Sequence, residues 1–177
     1  MSEVKIKLVE YDPTWAEDFQ RLKGTYMDSL GDLLIGVEHV GSTAVPGLCA
    51  KPNLDIDLVI EDYSSFQKII YALAELGYEY QSDFGIEGRE SFRRKDEKVP
   101  WDGSNSREHP HNLYVCPQDS RELKRHLAFR DHLRENEDCL KRYGDLKRRL
   151  ARKYSDDREA YTEGKTKFIE RVLEEIM

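Results

Sequence analysis

Polar and apolar residues alternate through Leu54-Asp55-Ile56-Asp57-Leu58-Val59-Ile60, which is strand periodicity with Leu54, Ile56, Leu58 and Ile60 on one face and two carboxylates on the other. His111 to Pro117 alternates in the same way. It sets His111, Leu113 and Val115 against Asn112, Tyr114 and Cys116. Val4, Ile6 and Leu8 between lysines predict a short first strand; Leu33 to Val40, Tyr78 to Gln81 and the basic stretch around Arg93 supply further strands. Helical spacing joins Trp15, Phe19, Leu22, Tyr26 and Leu30 behind Asp12-Pro13, and Phe66, Ile69, Ile70, Leu73 and Leu76 ahead of Gly77. The aromatic stripe of the first helix is read as packing. The strand, helix and strand from Leu54 to Gln81 make a crossover expected beside the carboxylate strand. From Gln118 onward the pattern is helical throughout, with caps at Ser120 and at Asp156 or Asp157, and three helices are implied. The expected fold class is α+β: a mixed sheet flanked by helices over residues 1–118, and a C-terminal helical extension, 119–177, packed on that core as one folding unit.

Composition narrows the function. A chain of 177 residues suffices for one domain with a sizeable core. Charged residues make up 36% and no apolar run approaches a membrane span or a signal peptide, so a cytoplasmic protein is expected. Cys49, Cys116 and Cys139 are odd in number and far apart, which fits buried thiols better than a disulfide framework or a zinc site. The net charge of −7 disfavours a long nucleic acid as partner and leaves room for a local basic pocket.

The carboxylate pair carries the chemistry. Same-face neighbours on a strand sit roughly 7 Å apart, where two ionised acids repel by about 2 kcal/mol at an effective dielectric near 20. A shared divalent cation reverses that sign, and Mg²⁺ or Mn²⁺ held by oxygen ligands and phosphate suits such a pair. About a dozen residues earlier, Gly41-Ser42 makes a turn that can bring backbone N–H groups to a phosphate. Lys51 is the nearest cation in sequence, and reads equally well as a solvated turn lysine. Arg89, Arg93, Arg94 and Lys95 follow among glycines; guanidinium forks match phosphate, but Arg93 and Arg94 cannot both face one side of a strand. The loop from Val99 to Pro110 is long enough to move over a ligand. Among the C-terminal cations, Arg125, Arg130, Arg134, Lys147 and their neighbours read mostly as solvated faces; Lys165, beside Gly164, is the exception that a ligand could approach.

Gly-Ser followed about a dozen residues later by Asp-x-Asp resembles the mark of the DNA polymerase beta-like nucleotidyltransferase superfamily. The longer string His39-Val-Gly-Ser-Thr-Ala-Val-Pro-Gly-Leu-Cys-Ala-Lys-Pro52 resembles one branch of it, the GrpB or UPF0157 family, as do Arg125 to Arg134 and Asp157 to Ile169. The resemblance implies a nucleotidyltransferase-like core and Mg²⁺-dependent (or Mn²⁺-dependent) transfer of a nucleoside monophosphate from an NTP to an unidentified acceptor hydroxyl. In that scheme Asp55 and Asp57 hold metal, Gly41, Ser42 and Thr43 seat phosphates with Lys51 and Lys165 near, and Arg89 or Arg93 neutralises developing charge. The superfamily's third carboxylate comes from a later strand, where this chain has His111 and Asn112. His111 is the expected general base or softer ligand there. Two alternatives stand beside transfer: a catalytically inactive nucleotide or coenzyme sensor on the same fold, and a protein-interaction module using the C-terminal helices.

Overall fold

Residues 5–177 are described in the computed structural model of the chain. The alternating stretches become strands where expected: β1 spans Gly36–Val40, β2 Leu54–Ile60, β3 Tyr78–Ser82, β4 Glu90–Arg94 and β5 His111–Pro117. Helices α1 (Thr14–Leu30) and α2 (Phe66–Glu75) are followed at the C-terminal end by α3 (Arg121–Glu135), α4 (Glu137–Lys153) and α5 (Arg158–Ile176). The result is the α+β architecture anticipated, a mixed sheet with helices on both faces.

The sheet order is β1-β2-β5-β4-β3, with β2 and β5 parallel and every other pair antiparallel. The crossover from β2 through α2 therefore lands on the far edge of the sheet, not beside β2; β5 takes that neighbouring place. The expected first strand is corrected as well. Val4 lies outside the described residues, and the segment from Ile6 to Leu8 is irregular, tied by Ile6 N–H to the Ser155 carbonyl and followed by a single bridge between Val9 and Ala50.

Leu54, Ile56, Leu58 and Ile60 bury one face of β2 against Trp15, Phe19, Leu22 and Tyr26 of α1 and Ile69 and Leu73 of α2. The opposite face is covered by the C-terminal helices: Val59 and Cys116 meet Leu123, while Val45 and Leu48 of the β1–β2 connection meet Leu133, Tyr143 and Val172. Apolar side chains of this kind contribute about 1.5–3 kcal/mol each when fully buried. The extension is thus part of the packing on the carboxylate side of the sheet. Side-chain caps start each of its helices, Ser120 to Leu123 N–H, Asn136 to Cys139 N–H and Asp157 to Ala160 N–H. Among the described residues no helix is long and apolar enough to cross a membrane.

Candidate functional site

Strand register decides which side chains share the site. Paired residues on neighbouring strands point to the same face, so Val40 and Asn112 flank Asp55, while Glu38 and Tyr114 flank Asp57. Gly41 follows at the end of β1 with φ +73°, and a Cβ there would stand 2.4 Å from Asp55 Oδ2. Only glycine lets the turn close on the carboxylate. The expected union of turn and acids is thus formed, with Ser42, Thr43 and Ala44 continuing as a 3-10 turn.

The two acids sit in unlike surroundings. Asp55 Oδ1 accepts a hydrogen bond from Asn112 Nδ2 at 2.9 Å, and Asp55 retains some exposure inside a cavity. Burial pushes its pKa up; the Asn112 bond opposes this and the charge of Asp57 adds to it. Asp57 is fully buried. Its Oδ2 lies 2.6 Å from Nδ1 of His126, on α3, and its Oδ1 has no hydrogen-bond partner among the described residues. Burial alone would lower the His126 pKa, but the bond to Asp57, the charge of Asp57 and that of Glu122 outweigh it, so the imidazole is held protonated more strongly than usual. One turn further along α3, Arg130 bonds Glu38 at 2.7 Å and the His39 carbonyl at 3.0 Å, and Arg134 bonds the Ala44 carbonyl at 2.8 Å. Three residues at helical spacing therefore strap α3 across β1, β2 and the turn.

Beside Asp55 lies a cavity of about 230 Å³ lined by Ser42, Thr43, Lys51, Asn112, Lys147, Arg158, Tyr161 and Lys165, among others. Lys51 and Lys165 both place their ammonium groups over the Tyr161 ring, 4.9 and 4.6 Å from its centroid. Burial, with repulsion from Lys51 and Arg158, lowers the Lys165 pKa to about 8 despite the attraction of Asp55. Lys147 donates to the Cys49 carbonyl and is only 2% exposed; burial lowers its pKa to about 7. A larger groove of about 700 Å³, lined by Asp62, Glu87, Asp119, Arg121 and Glu122, shares no residue with this cavity.

The remaining candidates separate. Thr43 turns its hydroxyl to His39 Nε2 at 2.9 Å. Arg89 stacks 4.7 Å from the Tyr114 centroid, on the carboxylate side of the sheet, and its buried Nε has no partner among the described residues. Arg93 is exposed and ion-paired with Glu79 on the edge strand, while Arg94 holds the Val99, Glu97 and Glu108 carbonyls. Neither reaches the cavity.

His111 does not stand with the acids. It shares the face of Leu54, where its Nδ1 donates to the His109 carbonyl at 2.6 Å and its Nε2 accepts from Tyr78 Oη at 2.6 Å, with Tyr26 Oη bonded to Tyr78 at 2.7 Å. Burial lowers its pKa to about 4. Asn112, its neighbour, takes the position next to Asp55.

Gly164 is also reassigned: a Cβ there would meet Leu150 Cδ2 at 2.7 Å, so its smallness serves the close packing of α5 on α4, not the approach of a ligand. The loop from Lys95 to Pro110 is fastened away from the acids by Arg21 to Glu108 and His109 to Asp18. His126, Arg130, Lys147 and Arg158 were not foreseen at the site. Lys147 carried one signal, its place on the apolar stripe of Cys139, Tyr143 and Leu150.

Among the described residues no three or more His, Cys, Asp or Glu side chains are grouped to hold a metal by themselves. Asp57 Oδ1 and Asp55 Oδ2 accept no protein hydrogen bond among the described residues, and a hard divalent cation suits both. Such an ion would complete its ligand set with phosphate oxygens and water.

A family model described as GrpB protein matches residues 5–175. A UPF0157 protein of Pseudomonas aeruginosa is 36% identical over 169 residues, covering 96% of this chain and 66% of its own length. The UPF0157 protein YqkA of Bacillus subtilis is 30% identical over 93% of this chain, which spans only 45% of that relative. The crystal structure of the conserved protein GrpB from Enterococcus faecalis overlaps with a TM-score of 0.73 at 30% identity, covering 94% of this chain and 99% of that one.

Proposed function

The chain belongs to the GrpB family, and on that premise we propose that it is a Mg²⁺-dependent (or Mn²⁺-dependent) nucleotidyltransferase that moves a nucleoside monophosphate from an NTP to an acceptor hydroxyl. The reading is carried by one observation: the Gly41 turn abuts Asp55, and the same cavity holds Ser42, Lys51 and Lys165. It is supported further by the likeness of Gly41-Ser42 and Asp55-x-Asp57 to the superfamily motif.

In this scheme Asp55 and Asp57 hold the cation, which when bound supplies charge neutralisation at the phosphates and lowers the pKa of an attached oxygen. The backbone at Gly41, Ser42 and Thr43 orients the phosphate chain, and Lys51 and Lys165 stabilise negative charge that develops as pyrophosphate leaves. Arg89, steadied on Tyr114 with its Nε unpartnered among the described residues, stands on the carboxylate face of the sheet and outside the lining of the cavity, and so takes no assigned contact with the phosphates. Asn112 fixes Asp55, and α4 and α5 limit water at the cavity. His111 and Arg93 have no part in it.

A second reading, a nucleotide sensor without turnover, is favoured by Asn112 where the superfamily has a third acid and by the His126 bond to Asp57. Exchange of labelled pyrophosphate into NTP with Mg²⁺ decides between them. Exchange in the wild type and its loss in Asp55→Asn supports transfer; Mg-NTP binding with no exchange, and no labelling of any acceptor in an extract, supports the sensor.

A further inference from the structure

Lys147 poses the question that the Asp55 site leaves open. It belongs to the buried stripe of α4, where an ammonium loses hydration and an apolar residue would pack at no such cost. One of its three N–H donors goes to the Cys49 carbonyl, and the group stands 5.0 Å from the Tyr143 centroid. It lines the cavity together with Lys51, Arg158 and Lys165. Among the described residues none of these four cations forms an ion pair with a carboxylate. Gathered round one cavity with the single carboxylate of Asp55, these basic groups repel one another. Burial together with that repulsion lowers the pKa of Lys147 to about 7 and that of Lys165 to about 8, so an anion among them would favour their charged forms.

We propose that Lys51, Lys147, Arg158 and Lys165 form a subsite for a linear di- or triphosphate group, the pyrophosphate end of the NTP, deepening and resting on the nucleotide reading above. Three features select a polyphosphate chain over a base. The cavity, about 230 Å³, is lined mainly by polar groups, with Ser42, Asn53, Asn112 and Thr162 adding donors between the cations. Tyr161, the one aromatic lining residue among the described residues, has its ring overlaid by the Lys51 and Lys165 ammonium groups, so no open platform is left for a base to stack on. The cations come from the β1–β2 connection, α4 and α5, so they surround a chain of phosphates from several directions, as a charged oxygen array requires. The C-terminal extension thereby contributes three of the subsite's four cations, Lys147, Arg158 and Lys165.

Isothermal titration of the full chain with inorganic tripolyphosphate, pyrophosphate and orthophosphate at low salt tests this without any nucleotide. Tripolyphosphate should bind, orthophosphate should bind more weakly, and Arg158→Ala and Lys147→Met should each weaken tripolyphosphate by about tenfold or more, the loss of one charge-assisted contact. Arg158 is exposed, so its variant keeps the fold; if Lys147→Met unfolds on circular dichroism, Lys51→Ala takes its place. Absence of tripolyphosphate binding at millimolar concentration, or unchanged affinity in the folded variants, overturns the proposal. The two readings fail separately: pyrophosphate exchange that proceeds while both variants bind tripolyphosphate normally removes the subsite alone, and tripolyphosphate binding lost in the variants with no exchange in the wild type removes transfer alone.

Discussion

Asp55 and Asp57 differ by one partner each, and that difference sets their chemistry. Asn112 steadies Asp55 without supplying charge, whereas His126 sets an imidazolium against Asp57 and occupies an oxygen that a cation would otherwise use. Replacing His126 with Gln should therefore raise affinity for Mn²⁺ severalfold, read by electron paramagnetic resonance titration; unchanged affinity would mean that Asp57 holds no metal. Gly41→Ala should displace the carboxylate, since its Cβ would meet Asp55 Oδ2 at 2.4 Å on a backbone with φ +73°. A fall in melting temperature together with loss of pyrophosphate exchange is expected. Acid stability follows from two other histidines. Burial, aided by Arg134 and Arg130, lowers the His39 pKa to about 4, and burial does the same for His111. Unfolded imidazoles take up protons near pH 6.5 and the folded ones only near 4, so the unfolded chain binds more protons as pH falls through that window and stability is lost, by up to about 3 kcal/mol per group. Urea midpoints at pH 7 and pH 4.5 measure this, and His111→Gln should shrink the difference.

At the scale of elements, the helices and the strands β2 and β5 formed where their periodicity placed them, whereas the alternation ending at Leu8 gave no strand over its described residues. Position in the sheet was not legible: nothing local in Tyr78 to Gln81 says that β3 pairs with β4 at the far edge, because strand order is settled by which faces the helices cover. The assignment of His111 to the site failed for a related reason, since its sequence place beside Asn112 is right but its parity on β5 sends it to the α1 face. Cations on α3 and α4 looked like solvated charge because the helices' polar faces are built from residues of the same type. Packing against β1 distinguishes Arg130 from Arg142 or Arg149, and Lys147 is distinguished by its bond to the Cys49 carbonyl of the β1–β2 connection and by its place on the apolar stripe of α4. Gly164 offers a test of that packing. Valine there would drive its Cβ to 2.7 Å from Leu150 Cδ2, and overpacking of this sort costs about 1–3 kcal/mol, visible as a lower urea midpoint with secondary structure retained.

The molecule as a whole reads as one sheet with a different task on each face. On the α1 and α2 face lies the larger apolar core, including the Tyr26, Tyr78 and His111 network; on the other, α3, α4 and α5 cover apolar residues of the sheet and close the cation-lined cavity. We propose that the division at residue 118 marks no independent unit. A chain ending there would uncover Val45, Leu48, Val59 and Cys116 and lose three of the four cavity cations. It should show poor solubility or non-cooperative thermal unfolding, whereas a cooperative transition like that of the full chain would make the extension a separate module and favour a role in binding a partner protein. The central claim is that Asp55, its turn and the surrounding cations grip the phosphates of a metal-loaded NTP. Calorimetric titration with a non-hydrolysable NTP, with and without Mg²⁺, tests it most directly: binding that requires the metal and disappears in both Asp55→Asn and Lys165→Met is predicted, and equal affinity in the wild type and both variants would contradict it.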